Sequence, residues 1–134
     1  MIDIESSLFS EIAPQLRAAF PGIFVTGEYV HAPAQFPAVS IVETRNATWT
    51  RGQTNAPQTN FSELTYTVDV YSNLKTGRKT QCKQIAEMID DFFIARNFTG
   101  TGVEPIPNLE DATIYRMVGR YRAIVGRDNA LYRA

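Results

Sequence analysis

From Ser62 to Tyr71 the side chains alternate without a fault. Leu64, Tyr66, Val68 and Val70 fall on one side, and Thr65, Thr67, Asp69 and Tyr71 on the other. Successive side chains of a strand point to opposite faces, so this segment must lie in a sheet with one face buried and one face polar. Ala112 to Val125 repeats the period with two chemically unlike faces. Tyr115, Met117, Gly119, Tyr121, Ala123 and Val125 suit a core, whereas Ile114, Arg116, Val118, Arg120, Arg122 and Ile124 suit an interface or a wet surface crossed by arginines. Ala38 to Trp49 is a third strand, with Val39 and Ile41 on one face and a switch through Val42 that predicts a bulge or a departure from the core. Ile23 to Val30, containing Gly27, predicts a first edge strand, and Val103 to Pro107 a short extended piece before a turn at Asn108-Leu-Glu-Asp111.

Two stretches have the other period. Ile4, Leu8, Ile12 and Leu16, with Phe9, Ala19 and Phe20 beside them, predict an amphipathic helix over residues 3 to 20. Asp3 stands where an N-cap belongs, Pro14 predicts a kink or a break by removing a donor to the Ser10 carbonyl, and Pro21-Gly22 ends the helix. Cys82, Ile85, Met88 or Ile89, and Phe92 or Phe93 mark the apolar side of a second helix over 77 to 96, with Thr76 as its cap. Between the second and third long strands, Arg51 to Asn60 runs ten residues without one large apolar side chain, too long and polar for a tight hairpin. The sum is one α+β domain, a mainly antiparallel β-sheet with two α-helices packed on one face and a long inter-strand loop. At 134 residues such a domain buries roughly two thirds of its unfolded surface and needs no covalent staple.

Composition removes most catalytic plans. A nucleophile needs a base and the base an orienting partner, yet the chain has one histidine, His31, and one cysteine, Cys82. His31 reads as a turn residue and Cys82 as a small hydrophobe near the start of a helix, where a dipole-lowered thiol is the sharper alternative. A single cysteine excludes an internal disulfide and a multi-cysteine zinc site. Asp90-Asp91 and Glu110-Asp111 are neighbours that diverge on a helix and read as solvated or capping acids. Thr76-Gly-Arg-Lys-Thr80 lacks the spacer and second glycine of a phosphate loop, and Gly100-Thr-Gly102 reads as a flexible turn because it lacks the third glycine and following helix of a dinucleotide site. No metal and no cofactor are expected. With 13 basic against 14 acidic side chains the chain is no dedicated polyanion binder, its apolar runs are too short for a bilayer, and its acidic start lacks the features of a secretory signal, so an intracellular product is expected. The sequons at Asn46, Asn60 and Asn97 carry no meaning without a secretory route.

The run Leu64-Thr-Tyr-Thr-Val-Asp-Val-Tyr71, the Gly77-Arg78 helix with Ile85 and Ile89, and Ile106-Pro-Asn-Leu-Glu-Asp-Ala-Thr-Ile-Tyr-Arg116 ending in Arg120-Tyr121 resemble the tail terminator, or tail completion, proteins of long-tailed bacteriophages. The likeness covers essentially the whole chain in length and element order, including the polar loop at 51 to 60. It implies a non-enzymatic virion protein, made in the host cytoplasm, that closes a homohexameric ring on the head-proximal end of the tail tube. Its partners are then itself, the tail tube protein and a head-completion or connector protein, with no membrane, and DNA passes through the ring without specific recognition.

A ring of this kind uses head-to-tail contacts, so each subunit needs two unlike faces besides its core. Arg116, Arg120 and Arg122 are candidates for one face, because the guanidinium fork pairs carboxylates across interfaces; a solvated strand face and weak DNA contact are the alternatives. From Ala112 onward Arg116, Arg120, Arg122, Arg127 and Arg133 face one acid, Asp128, whereas residues 1 to 67 hold Arg17, Arg45 and Arg51 against six acids. The loop, with Arg51, Gln53, Asn55 and Gln58, is either a mobile segment or an arm that orders against the tube. Trp49 and Tyr132 are its aromatic anchors unless Trp49 belongs to the core, and Arg127 completes the expected assembly residues. The rival readings are another neck or connector protein of the virion, a stand-alone α+β binding module, and a hydrolase, which would lose turnover on changing His31 or Cys82.

Overall fold

The computed structural model describes every residue except His31 and Asn108, Leu109 and Glu110. The alternating segment is β3, Phe61–Ser72, and it pairs antiparallel with β2, Ala38–Thr48, on one side and with β5, Tyr115–Gly126, on the other. β1, Phe24–Thr26, adds to β2 in parallel; β4, Thr99–Pro105, and β6, Leu131–Arg133, both add antiparallel to the far edge of β5. The path across the sheet is β1-β2-β3-β5-β4, so the open sheet is mostly antiparallel. Helices α1, Glu5–Ala19, and α2, Arg78–Ala95, cover one face. Among the described residues no helix is long and apolar enough to cross a membrane.

The inward residues are those the alternation predicts. Leu64, Tyr66, Val68 and Val70 of β3 and Met117, Tyr121, Ala123 and Val125 of β5 meet Leu8, Ile12 and Leu16 of α1 and Cys82, Ile85, Ile89 and Phe93 of α2 in one core. Each fully buried aliphatic side chain contributes about 1.5–3 kcal/mol. At the centre the Phe93 ring stacks on Tyr121 with centroids 4.6 Å apart and meets Phe98 edge-on at 5.0 Å, while Tyr66 closes the group at 5.6 Å from Phe98. The two buried phenols keep partners: Tyr121 donates to Asp90 (3.0 Å) and Tyr66 to Glu43 (3.0 Å). Burial followed by the adjacent carboxylate raises both phenol pKa values, so both stay protonated donors.

Several local expectations fail, each for a tertiary or backbone reason. Of the kink or break expected at Pro14, the break is absent: α1 runs on through it, because buried Ile12, Ala13 and Leu16 fix that turn while Pro14 itself faces solvent. Ile4, not Asp3, is its N-cap, although Asp3 Oδ1 accepts the Glu5 N–H at 3.1 Å. Gly77, not Thr76, is the N-cap of α2, and its φ of 84° turns the chain in a way that a side chain disfavours. The strand expected over 23 to 30 stops at Thr26, and Gly27 lies outside it. Gly100-Thr-Gly102, expected as a turn, is strand, with the irregularity absorbed as a register shift between Gly100 and Val103. The last long strand starts at Tyr115, not Ala112, after a turn closed by Ile114 N–H to the Asp111 carbonyl; Asn108, Leu109 and Glu110 of the expected turn lie outside the described residues. The bulge expected near Val42 is present between Glu43 and Arg45.

Just before that bulge, the regular alternation of Val39 and Ile41 carries Glu43 to the helix side opposite Tyr66, where its N–H donates to Glu5 Oε2 at 2.9 Å. Burial raises the Glu43 pKa, the hydrogen bond from Tyr66 works against the rise, and the Glu5 carboxylate adds to it. A carboxyl with a raised folded pKa stabilises the fold below its unfolded pKa, and that contribution is lost as pH rises through the folded value. Glu43→Gln, which still accepts from Tyr66, is therefore expected to melt higher than the wild type at neutral pH, the gap closing as pH falls below the ordinary value of 4.5. Thermal melts across that range check it, and a gap independent of pH would refute the ionisation account.

Candidate assembly surfaces

The face of the sheet opposite the helices is divided. At one end the segment after β1 folds across it: the Ser40 hydroxyl donates to the Glu28 carbonyl (3.0 Å) and the Tyr71 hydroxyl to the Val30 carbonyl (3.1 Å). Asp69, Tyr71 and Val118 are buried there, although they lie on the face expected to be polar. Burial, with the nearby Asp69 charge, pushes the Tyr71 phenol up to about 12. At the other end, among the described residues, no element covers the face, and Thr44, Arg45, Arg120 and Arg122 are exposed around half-buried Thr65 and Thr67.

The strand register decides the fate of each arginine. Arg116 stands opposite Tyr71 and Arg122 opposite Thr65, so each has an acid two positions along β3, within diagonal reach. Arg116 donates to Asp69 Oδ1 from Nε (2.9 Å) and Nη2 (2.6 Å), with its guanidinium carbon 5.5 Å from the Tyr71 ring centroid. Burial pulls its pKa down, but the bond to Asp69 and that charge outweigh burial and leave it raised. Arg122 donates to Glu63 at 2.6 Å on open surface, a pair worth at most about 1 kcal/mol. Arg120 stands opposite Thr67, where the nearer acid of β3, Asp69, is already held by Arg116. Among the described residues no ion pair involves Arg120, and the exposed Glu104 diagonal to it on β4 forms none with it. The row therefore separates into a structural member, Arg116, and two outward members, with Arg45 beside Thr65 as a third outward cation that sequence reasoning missed. Asp69 and Glu63 were also missed; strand pairing is the signal that finds them.

The loop over 51 to 60 and the chain end form the second surface. A 3-10 turn, Thr50–Gly52, opens the loop, and the Trp49 N–H donates to the Phe61 carbonyl across its base. A Cβ at Gly52 would run into the Phe61 ring, so glycine there lets the turn sit flat on it. The Asn60 amide donates to the Gly52 carbonyl at 2.9 Å, and Arg127 reaches across from the β5-β6 turn to Gln58 Oε1, also at 2.9 Å. Trp49, Phe61 and Tyr132 form an edge-to-face series with centroids 5.6 and 6.2 Å apart. Trp49 is half-buried and Tyr132 about half exposed, so neither is a core residue. Arg51, Gln53 and Asn55 are exposed. Phe61, the ring that joins the two anchors, falls between the expected loop and the expected strand, and sequence reasoning missed it. An open cleft of about 660 Å³ runs between loop and hairpin, lined by Gly52, Thr54, Asn60, Gly126 and Arg127 among others.

Cys82 is fully buried, its thiol facing the Tyr115 carbonyl at 3.5 Å, and burial pushes it up to about 12, so it supplies no thiolate at neutral pH. His31 lies outside the described residues. Among the described residues no three His, Cys, Asp or Glu side chains stand together as a metal-binding group. The sequon asparagines have internal tasks: Asn46 donates to the Ile2 carbonyl, Asn60 to Gly52, and Asn97 to the Leu131 carbonyl. The chain matches no protein-family model and no curated protein sequence.

Proposed function

We propose that this chain is a non-enzymatic virion protein that caps the head-proximal end of a phage tail tube as a ring, ends tail elongation and offers the surface that joins the head. The observation that carries the reading is the separation of one subunit into two unlike outward surfaces. One is the bare, arginine-bearing end of the sheet face; the other is the polar loop braced on the β5-β6 turn by Arg127–Gln58 and the Trp49–Phe61–Tyr132 rings. A closed ring needs unlike surfaces for neighbours, and a cap needs a further surface for the tube. The exposed side chains Arg51, Gln53 and Asn55 are the part of the loop free to meet the tube. Similarity in element order to the tail terminator proteins supports the reading independently of the surfaces.

The decisive experiment is tail assembly with and without the protein. Tubes polymerised in its presence are expected to stop at uniform length and to join heads; in its absence they are expected to overgrow and stay unjoined. Normal tails joined to heads without the protein would refute the capping role.

A further inference from the structure

The charges of α2 run against the helix that carries them. Its first turn holds Arg78 and Lys79 and no acid, its last turn holds no base, and Glu87, Asp90 and Asp91 lie in its C-terminal half. Helix ends favour the opposite arrangement. Glu87 and Asp91 are also four residues apart, on one stripe of the helix, where like charges repel. Both are exposed, and among the described residues neither takes part in an ion pair. At the C-terminal end of α2 the C-cap, Arg96, donates to the Phe92 carbonyl and pairs with Glu11, not with Glu87 or Asp91, so the repulsion along the stripe is left for a partner outside the subunit to offset.

The same subunit carries the complement. α2 packs over β3, β4 and β5 from behind, while Arg120 and Arg122 project from β5 to the front, with Arg45 across Thr65. We propose that the bare sheet end formed by Arg45, Arg120 and Arg122 docks on the Glu87–Asp91 stripe of α2 of a second copy. The contact is heterologous, front to back, with a row of cations meeting a row of anions, and it leaves both surfaces of each subunit in use once rotation closes the assembly. It rests on the ring reading and names the neighbour-facing surfaces within it.

Charge reversal tests the contact in the full-length protein. Arg120→Glu with Arg122→Glu, and separately Glu87→Lys with Asp91→Lys, are each expected to weaken self-association about 100-fold in sedimentation experiments. Circular dichroism spectra should stay unchanged, because all four side chains are exposed. Mixing the two variants is expected to restore a hetero-assembly, since each supplies the native face that the other has lost and the two reversed faces again attract. Failure of the reversals to weaken assembly, or of the mixture to recover it, overturns the contact even if wild-type rings form and tubes are capped. A wild type that stays monomeric at every concentration also overturns it, as does one whose arginine end is instead saturated by a short DNA duplex without self-association. In either case the tail-length experiment still decides the capping role separately.

Discussion

Phe93→Ala is expected to lower the unfolding free energy by about 4 kcal/mol. Phe93 is 1% exposed and is the ring on which the others converge: it stacks on Tyr121, meets Phe98 and Phe92 edge-on, and lies 5.8 Å from Tyr66. Truncation removes the transfer free energy of the ring and leaves a hole. The lining cannot close it cheaply, because Tyr66 and Tyr121 are pinned by hydrogen bonds to Glu43 and Asp90. A domain of this size is stable by about 5–15 kcal/mol, so the variant keeps a fold with a much reduced margin. Phe93→Leu, which retains most of the volume, should lose only about 1–2 kcal/mol. Urea unfolding measures both; midpoints within about 1 kcal/mol of the wild type for Phe93→Ala would mean that the aromatic group is not the centre of the core.

Alternation made the sheet legible and left its outer face illegible. Tyr66, Val68 and Val70 declare themselves as core because a two-residue period admits one burial pattern. On the opposite face, Asp69 and Tyr71 follow the same period and look solvated. They are buried because the chain near Glu28 and Val30 folds across them, a return of some forty residues that no local pattern encodes. The arginine row has the same difficulty. Arg116, Arg120 and Arg122 are equivalent in sequence, and only the β3-β5 register places an unclaimed acid within reach of the first and third. Gly100 and Gly102 misled for a backbone reason, since glycine marks a turn and an irregular edge strand equally well. Of the second surface, Trp49, Gln58, Arg127 and Tyr132 were legible as candidates. Their union was not, because Phe61 and the short strand β6 bring together segments some seventy residues apart.

Asp69→Asn is expected to cost about 2–3 kcal/mol, and its rescue separates the architecture of the arginine row from its use in assembly. Asp69 is 3% exposed, and its Oδ1 receives both Arg116 hydrogen bonds. Breaking a buried pair from one side costs about 3–5 kcal/mol because a charge is left without its partner. The lower figure applies here because the Arg116 side chain is 23% exposed and part of its charge returns to water. Replacing both members, Asp69→Val with Arg116→Met, removes the stranded charge, and Val is suited to a central strand between Ser40 and Val118. That double variant should recover to within about 1 kcal/mol of the wild type, as buried ion pairs exchanged for apolar residues commonly do. A double-mutant cycle in urea gives the coupling, and additive losses would refute the pair as the reason for burying Asp69. Because Arg116 is committed inside the subunit, the same double variant should self-associate like the wild type, whereas reversing Arg120 and Arg122 should not. Loss of assembly from Asp69→Val with Arg116→Met at full stability would return Arg116 to the contact and move the docking surface toward the covered end of the sheet.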